Sequence, residues 1–109
     1  MSSRANIYMD RGTDFRVSLD LFDSVDEELG IATYNFFGSL RKVYSTRKLA
    51  DFTIEKGDSI ITLVLTDQET LALKPGKYQY DVIMQKTTGE LSKIVEGLAI
   101  VADTMTEVT

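Results

Sequence analysis

Hydrophobic and polar residues trade places at every second position through most of this chain, which is the period of strands that bury one face. Across residues 14–21, Phe15, Val17, Leu19 and Leu21 fall on one side and Arg16, Ser18 and Asp20 on the other. Asp10-Arg11-Gly12-Thr13 reads as a turn ahead of that strand, with Gly12 free to take a positive φ, so residues 6–9 predict a short preceding strand. Residues 33–44 return to β-type side chains, with Phe36, Gly38 and Leu40 on one face and Phe37, Ser39 and Arg41 on the other. Gly38 there marks a bulge or a close approach. A short strand around Phe52 and Ile54 follows. Beyond the Lys56-Gly57-Asp58 turn, residues 59–66 alternate again, Ile61, Leu63 and Leu65 inward against Thr62 and Val64 outward.

The period breaks once. Thr66 and Glu69 stand three apart, the spacing of a capping box, and predict a single helical turn that bridges two sheets. Lys74-Pro75-Gly76 is then a turn into a strand where Tyr78, Tyr80, Val82 and Met84 alternate with Lys77, Gln79, Asp81 and Ile83. Thr87-Thr88-Gly89-Glu90 closes a hairpin into a last strand over residues 91–101. About seven strands joined by turns predict an all-β fold, an immunoglobulin-like antiparallel β-sandwich with one short helical turn. The expected division is an N-terminal arm and first short strand over 1–13, the sandwich over 14–102 and a flexible tail over 103–109. Leu73 to Val82 has the look of the corner of such sandwiches, where a tyrosine at the start of a late strand bonds back to the upstream backbone. Tyr78 or Tyr80 takes that structural role.

Length and charge narrow the function. A chain of 109 residues supports one core. Its formal net charge of -5 disfavours nucleic acid, since phosphate binding needs clustered Lys and Arg, and favours a protein partner. There is no cysteine and no histidine, so a Ser or Cys triad lacks its usual base and a zinc site its usual ligands. Neither a signal-peptide core nor an apolar run long enough to span a membrane is present, which predicts a protein made and kept in the cytoplasm. No catalytic, cofactor-binding or metal-binding residue is assigned. The acidic run with Asp23, Asp26, Glu27 and Glu28 lacks the ligand spacing and central glycine of an EF-hand loop and reads as solvated charge.

Arg41, Lys42, Arg47 and Lys48 place four of the 12 basic residues in one short stretch. They read either as ordinary surface charge or as a patch that docks an acidic partner surface or a lipid or nucleic-acid phosphate. Opposite in sign, Asp23, Asp26, Glu27 and Glu28 could meet that patch on a neighbouring copy, pairing copies head to tail. For a carbohydrate site the candidate exposed aromatics are Tyr8, Phe22, Tyr34 and Tyr44.

Taken together, Asp10-Arg11-Gly12-Thr13-Asp14-Phe15, Leu40-Arg41-Lys42, Pro75 through Val82, and Val95-Glu96-Gly97 resemble small virion proteins of tailed bacteriophages. They are similar also to the N-terminal immunoglobulin-like domain of phage baseplate upper proteins. The resemblance implies a non-enzymatic structural protein of a virion, assembled in the host cytoplasm: a capsid decoration or cement protein, or an adaptor of tail, baseplate or neck. Its implied partners are other virion proteins, in multiple copies per particle, with no nucleic acid and no membrane. Baseplate upper proteins continue into a receptor-binding segment, whereas this sequence ends after its last predicted strand, which suits cementing or adapting. The competing expectation is a free β-sandwich module that binds carbohydrate or protein.

Overall fold

The computed structural model describes residues 3–20, 34–43, 47–57 and 60–103. In chain order the elements are β1 (Ser3–Arg4), β2 (Ile7–Asp10), β3 (Phe15–Asp20), β4 (Asn35–Lys42), β5 (Lys48–Asp51), β6 (Thr53–Lys56), β7 (Ile60–Leu65), α1 (Asp67–Leu71), β8 (Gly76–Gln85) and β9 (Leu91–Ala102). Two sheets face each other. The larger runs β1-β9-β8-β4-β5 with β2 also on β9, and the smaller runs β3-β7-β6. This is the strand order of an immunoglobulin-like sandwich in which the first strands join β9 in the larger sheet and β5 is added beside β4.

The alternation expected from sequence holds where it was clearest. Tyr78, Tyr80, Val82 and Met84 of β8 are buried, as are Ile61, Leu63 and Leu65 of β7, and the two rows meet as the core. Phe15, Phe52 and Tyr80 form an aromatic chain between the sheets, with ring centroids 6.3 and 6.1 Å apart.

Two features depart from the expected pattern of about seven antiparallel strands. β1 and β2 run parallel to β9, whereas the other pairings are antiparallel. Alternation reports which face is buried, not which way the neighbour runs, so this direction was invisible. The stretch around Phe52 is likewise two short strands, because Phe52 carries the chain from β5 in one sheet to β6 in the other. Its N–H donates to the Gly38 carbonyl at 2.9 Å, and a Cβ on Gly38 would lie 3.2 Å from its ring. Gly38 is therefore a close approach, and the bulge sits two residues on, at Leu40/Arg41.

The helical turn is capped as its sequence implies. Thr66 Oγ1 accepts from the Glu69 N–H at 3.2 Å, and the Glu69 carboxylate accepts from the Thr66 N–H at 2.9 Å. Thr70, fully buried, donates to the Thr13 carbonyl at 2.8 Å and accepts from the Gly12 N–H at 3.0 Å. Gly12 has φ +82°, so this clamp needs a residue that tolerates the left-handed region. Arg11 Nε adds bonds to the carbonyls of Leu71 and Leu73 at 3.1 and 2.9 Å.

Of the two corner candidates, Tyr78 fits: its hydroxyl donates to the Lys74 carbonyl, four residues upstream, at 2.6 Å. The Tyr80 hydroxyl instead reaches the Ala5 carbonyl at 2.6 Å, and burial pushes its pKa above the ordinary value. Tyr78→Phe removes one partly buried bond and is expected to cost about 1 kcal/mol. Equilibrium unfolding in urea measures it, and an unchanged midpoint would show that the corner bond contributes nothing.

Candidate docking face

Strand parity decides which of the basic residues act together. On β8 the side chains of Gln79, Asp81 and Ile83 point away from the core. Cross-strand register places Arg41 beside Gln79, Ser39 beside Asp81 and Phe37 beside Ile83. On the far side of β8, Leu98 stands opposite Gln79, Glu96 opposite Asp81 and Lys93 opposite Ile83. Lys48 of β5 lies opposite Arg41, and Asp51 opposite Ser39. The outer face of the larger sheet thus carries a row of carboxylates, Asp51, Asp81 and Glu96, with Arg41 and Lys48 on one side and Lys93 on the other.

Most of these charges are paired already. Lys93 Nζ lies 3.3 Å from Glu96 and 3.9 Å from Asp81, Lys48 lies 3.1 Å from Asp51, and Arg4 lies 3.8 Å from Glu96. Exposed pairs of this kind add little stability, about 0–1 kcal/mol each. Arg41 is different. Half-buried between two shallow depressions of about 420 and 610 Å³, it borders both and has no ion pair or side-chain hydrogen bond among the described residues. Its guanidinium keeps five N–H donors in a planar fork suited to a carboxylate.

The four-residue basic patch of the sequence does not act as one surface. Arg41 and Lys48 share the outer face. Lys42, next along β4, turns to the other side and borders a depression with Leu49, Ala50, Glu69, Ala72, Leu73 and Lys74. Arg47 is exposed just ahead of β5. Asp23, Asp26, Glu27 and Glu28 lie outside the described residues, as do Phe22 and Tyr44.

A glycan platform built on the named aromatics loses one of them. Tyr34 is buried, 4% exposed, because it falls on the inward parity of Phe36, Gly38 and Leu40. Tyr8 is 67% exposed, and Phe37, which sequence reasoning passed over, is 55% exposed. Phe37 could have been recognised from its outward parity on β4. Asp81, Lys93 and Glu96 were also missed as members of the face, since only the β8–β9 register brings them together.

Among the described residues no group of three or more Cys, Asp and Glu side chains is placed to hold a metal ion. No helix among them is long and apolar enough to cross a membrane.

No protein-family model matches this chain, and no curated protein does. Solved structures do. An internalin-like protein of Listeria monocytogenes superposes with a TM-score of 0.54 at 13% identity, over 94% of this chain, which spans only 28% of that one. A chain from work on the structural basis of T cell specificity and activation by the bacterial superantigen toxic shock syndrome toxin-1 superposes with a TM-score of 0.54 at 12% identity, over 88% of this chain and 92% of that one. At such identities the likeness shows the fold alone: this chain shares a β-sandwich architecture with both, and function has to be argued from its own residues.

Proposed function

We propose that this chain is a non-enzymatic structural protein of a tailed-phage virion that decorates the capsid or adapts one part of the tail, baseplate or neck to another. It works through protein–protein contacts on the outer face of the larger sheet. The observation that carries the docking part is Arg41, a cation without an ion pair among the described residues, on a broad face between two depressions and beside Lys48. Four cations on that face, Arg4, Arg41, Lys48 and Lys93, meet three carboxylates, so it is locally positive on a chain of net charge -5. An acidic surface on another virion protein is the complementary partner. The virion assignment is supported by the resemblance of residues 10–15, 40–42, 75–82 and 95–97, which fall in the α1 clamp, the stretch of β4 that carries Arg41 onto the docking face, the corner strand and the β1/β2 seam on β9.

Mass spectrometry of purified virions is expected to find this chain in many copies per particle. Its presence in infected-cell lysate but not in particles would overturn the reading. Arg41→Glu together with Lys48→Glu tests the face itself. The pair should leave the melting temperature of the isolated protein nearly unchanged and weaken incorporation into particles by at least about tenfold, since like charges across an interface cost several kcal/mol. Full occupancy by that variant at low salt would place the docking surface elsewhere.

A further inference from the structure

β3 is an edge. Among the described residues it pairs on one side only, with β7 through all six of its positions, because β1 and β2, which precede it, join the opposite sheet beside β9. Alternate N–H and C=O groups along Phe15–Leu19 therefore point away from β7 with no ladder partner among those residues, while Asp20 already has an interaction of its own. Val17 and Leu19 pack against the core but are only half-buried, as expected for a strand that has a neighbour on one side only among the described residues. On the solvent side, Arg16, Ser18 and Asp20 are exposed.

We propose that a second copy of this chain adds its own β3 to this edge, antiparallel across a two-fold axis, with Ser18 opposite the partner's Ser18. The argument is register. A two-fold pairing must match positions of the same parity, because a slip of one residue would turn Val17 and Leu19 against the partner's solvent face. Centred on Ser18, the pairing sets Arg16 opposite the partner's Asp20 and, by symmetry, Asp20 opposite the partner's Arg16. Val17 then meets the partner's Leu19 on the inner face. The strand is its own complement in this alignment, with opposite charges at both ends and apolar side chains in contact.

The neighbouring alignments are poorer. Centring on Val17 puts Asp14 opposite the partner's Asp20, two like charges, and leaves Arg16 against a serine. Centring on Leu19 sets Ser18 against the partner's Asp20 and pairs fewer residues of β3. Arg16 already contacts Glu55 of its own chain, but that contact is exposed and the guanidinium has donors to spare. Pairing in this way makes one continuous six-stranded sheet from two three-stranded ones and closes an isologous interface, so it ends at a dimer. It does not depend on the virion reading and uses neither Arg41 nor Lys48.

Sedimentation velocity on the purified chain at micromolar concentration and low salt tests it. The native protein is expected to be a dimer. Arg16→Glu alone brings two carboxylates together at each end, and Asp20→Arg alone brings two guanidinium groups together, so each should raise the dimer Kd by at least about tenfold. Mixing the two variants in equal amounts places opposite charges at both ends again and should restore a dimer containing one copy of each. The double variant, Arg16→Glu with Asp20→Arg, exchanges the charges within one chain and should self-associate like the native protein. Thermal melting shows that each variant folds, and if a single variant does not, the double variant decides alone. A native protein that stays monomeric, a dimer indifferent to both reversals, or a mixture or double variant that fails to re-associate would each overturn the proposal.

Discussion

Gly97→Ala is expected to be among the most damaging single-methyl changes this domain can suffer. A Cβ at that position would stand 2.0 Å from the carbonyl oxygen of Ala5 and 2.7 Å from its carbonyl carbon, and both are backbone atoms that cannot swing aside. The N-terminal segment crosses β9 at this point. Ala5 N–H donates to the Glu96 carbonyl at 3.0 Å, the Leu98 N–H donates to Asn6 Oδ1 at 3.1 Å, and the Tyr80 hydroxyl donates to the Ala5 carbonyl. Forcing Ala5 off β9 breaks this seam and leaves the Tyr80 hydroxyl, which reaches into the core region, without its acceptor. Overpacking typically costs about 1–3 kcal/mol and an orphaned buried hydroxyl about as much again, so a loss of roughly 3 kcal/mol is the expected net. For a domain of this size that lowers the melting temperature by about 10 °C or more. Calorimetry measures it, with Gly89→Ala as a control for adding a methyl in open space, although its φ of +91° carries a strain of its own. A melting temperature within about 2 °C of the native value would mean that Ala5 does not sit over Gly97 in solution.

That seam shows where sequence reading reached its limit. Residues 77–84 could be assigned face by face, because period-2 alternation on a central strand maps directly onto burial. The capping box was equally legible, since both of its bonds join residues three apart. The corner tyrosine was narrowed to two candidates, and the structure separates them by range: Tyr78 bonds four residues back, whereas Tyr80 bonds to a residue 75 positions away. Local pattern can anticipate the first and carries no trace of the second. Gly97 offered a faint signal, a glycine inside a strand, which often marks close backbone approach, but nothing local said that Ala5 would be the neighbour.

The docking face divides in the same way. Arg41 and Lys42 are consecutive on a strand and so could not share a face, which parity alone implies. That Lys48 joins Arg41 depended on the β4–β5 register and on the bulge at Leu40/Arg41, neither of which has a sequence signature here. Tyr34 was assignable as inward by the parity of Phe36 and Leu40, and residue type misled where periodicity would not have. Charge density along the chain found the right neighbourhood. Pairing across strands determined which of its members work together.

Leu63→Ala tests the core on which every surface argument depends. Leu63 is fully buried at the middle of β7, the central strand of the smaller sheet, opposite Val17 of β3 on one side and Ile54 of β6 on the other. Truncation leaves a cavity that β7 cannot close by moving, since it is held by ladders on both edges, so the cost should fall near the middle of the range for such changes, about 3 kcal/mol. Val82→Ala removes less volume from the facing sheet, where Val82 pairs with Gly38 and Val95, and should cost about 2 kcal/mol. Ile60→Ala, at the exposed end of β7, should stay within about 0.5 kcal/mol of the native protein. Urea unfolding with an unchanged m-value would assign these losses to the folded state rather than to the unfolded chain. Against a total stability of about 5–15 kcal/mol, the Leu63 change is a large fraction, and the truncated protein should melt well below the native one. A Leu63→Ala cost no larger than that of Ile60→Ala would mean that β7 does not face the tyrosine row of β8, and the two-sheet packing described here would be wrong.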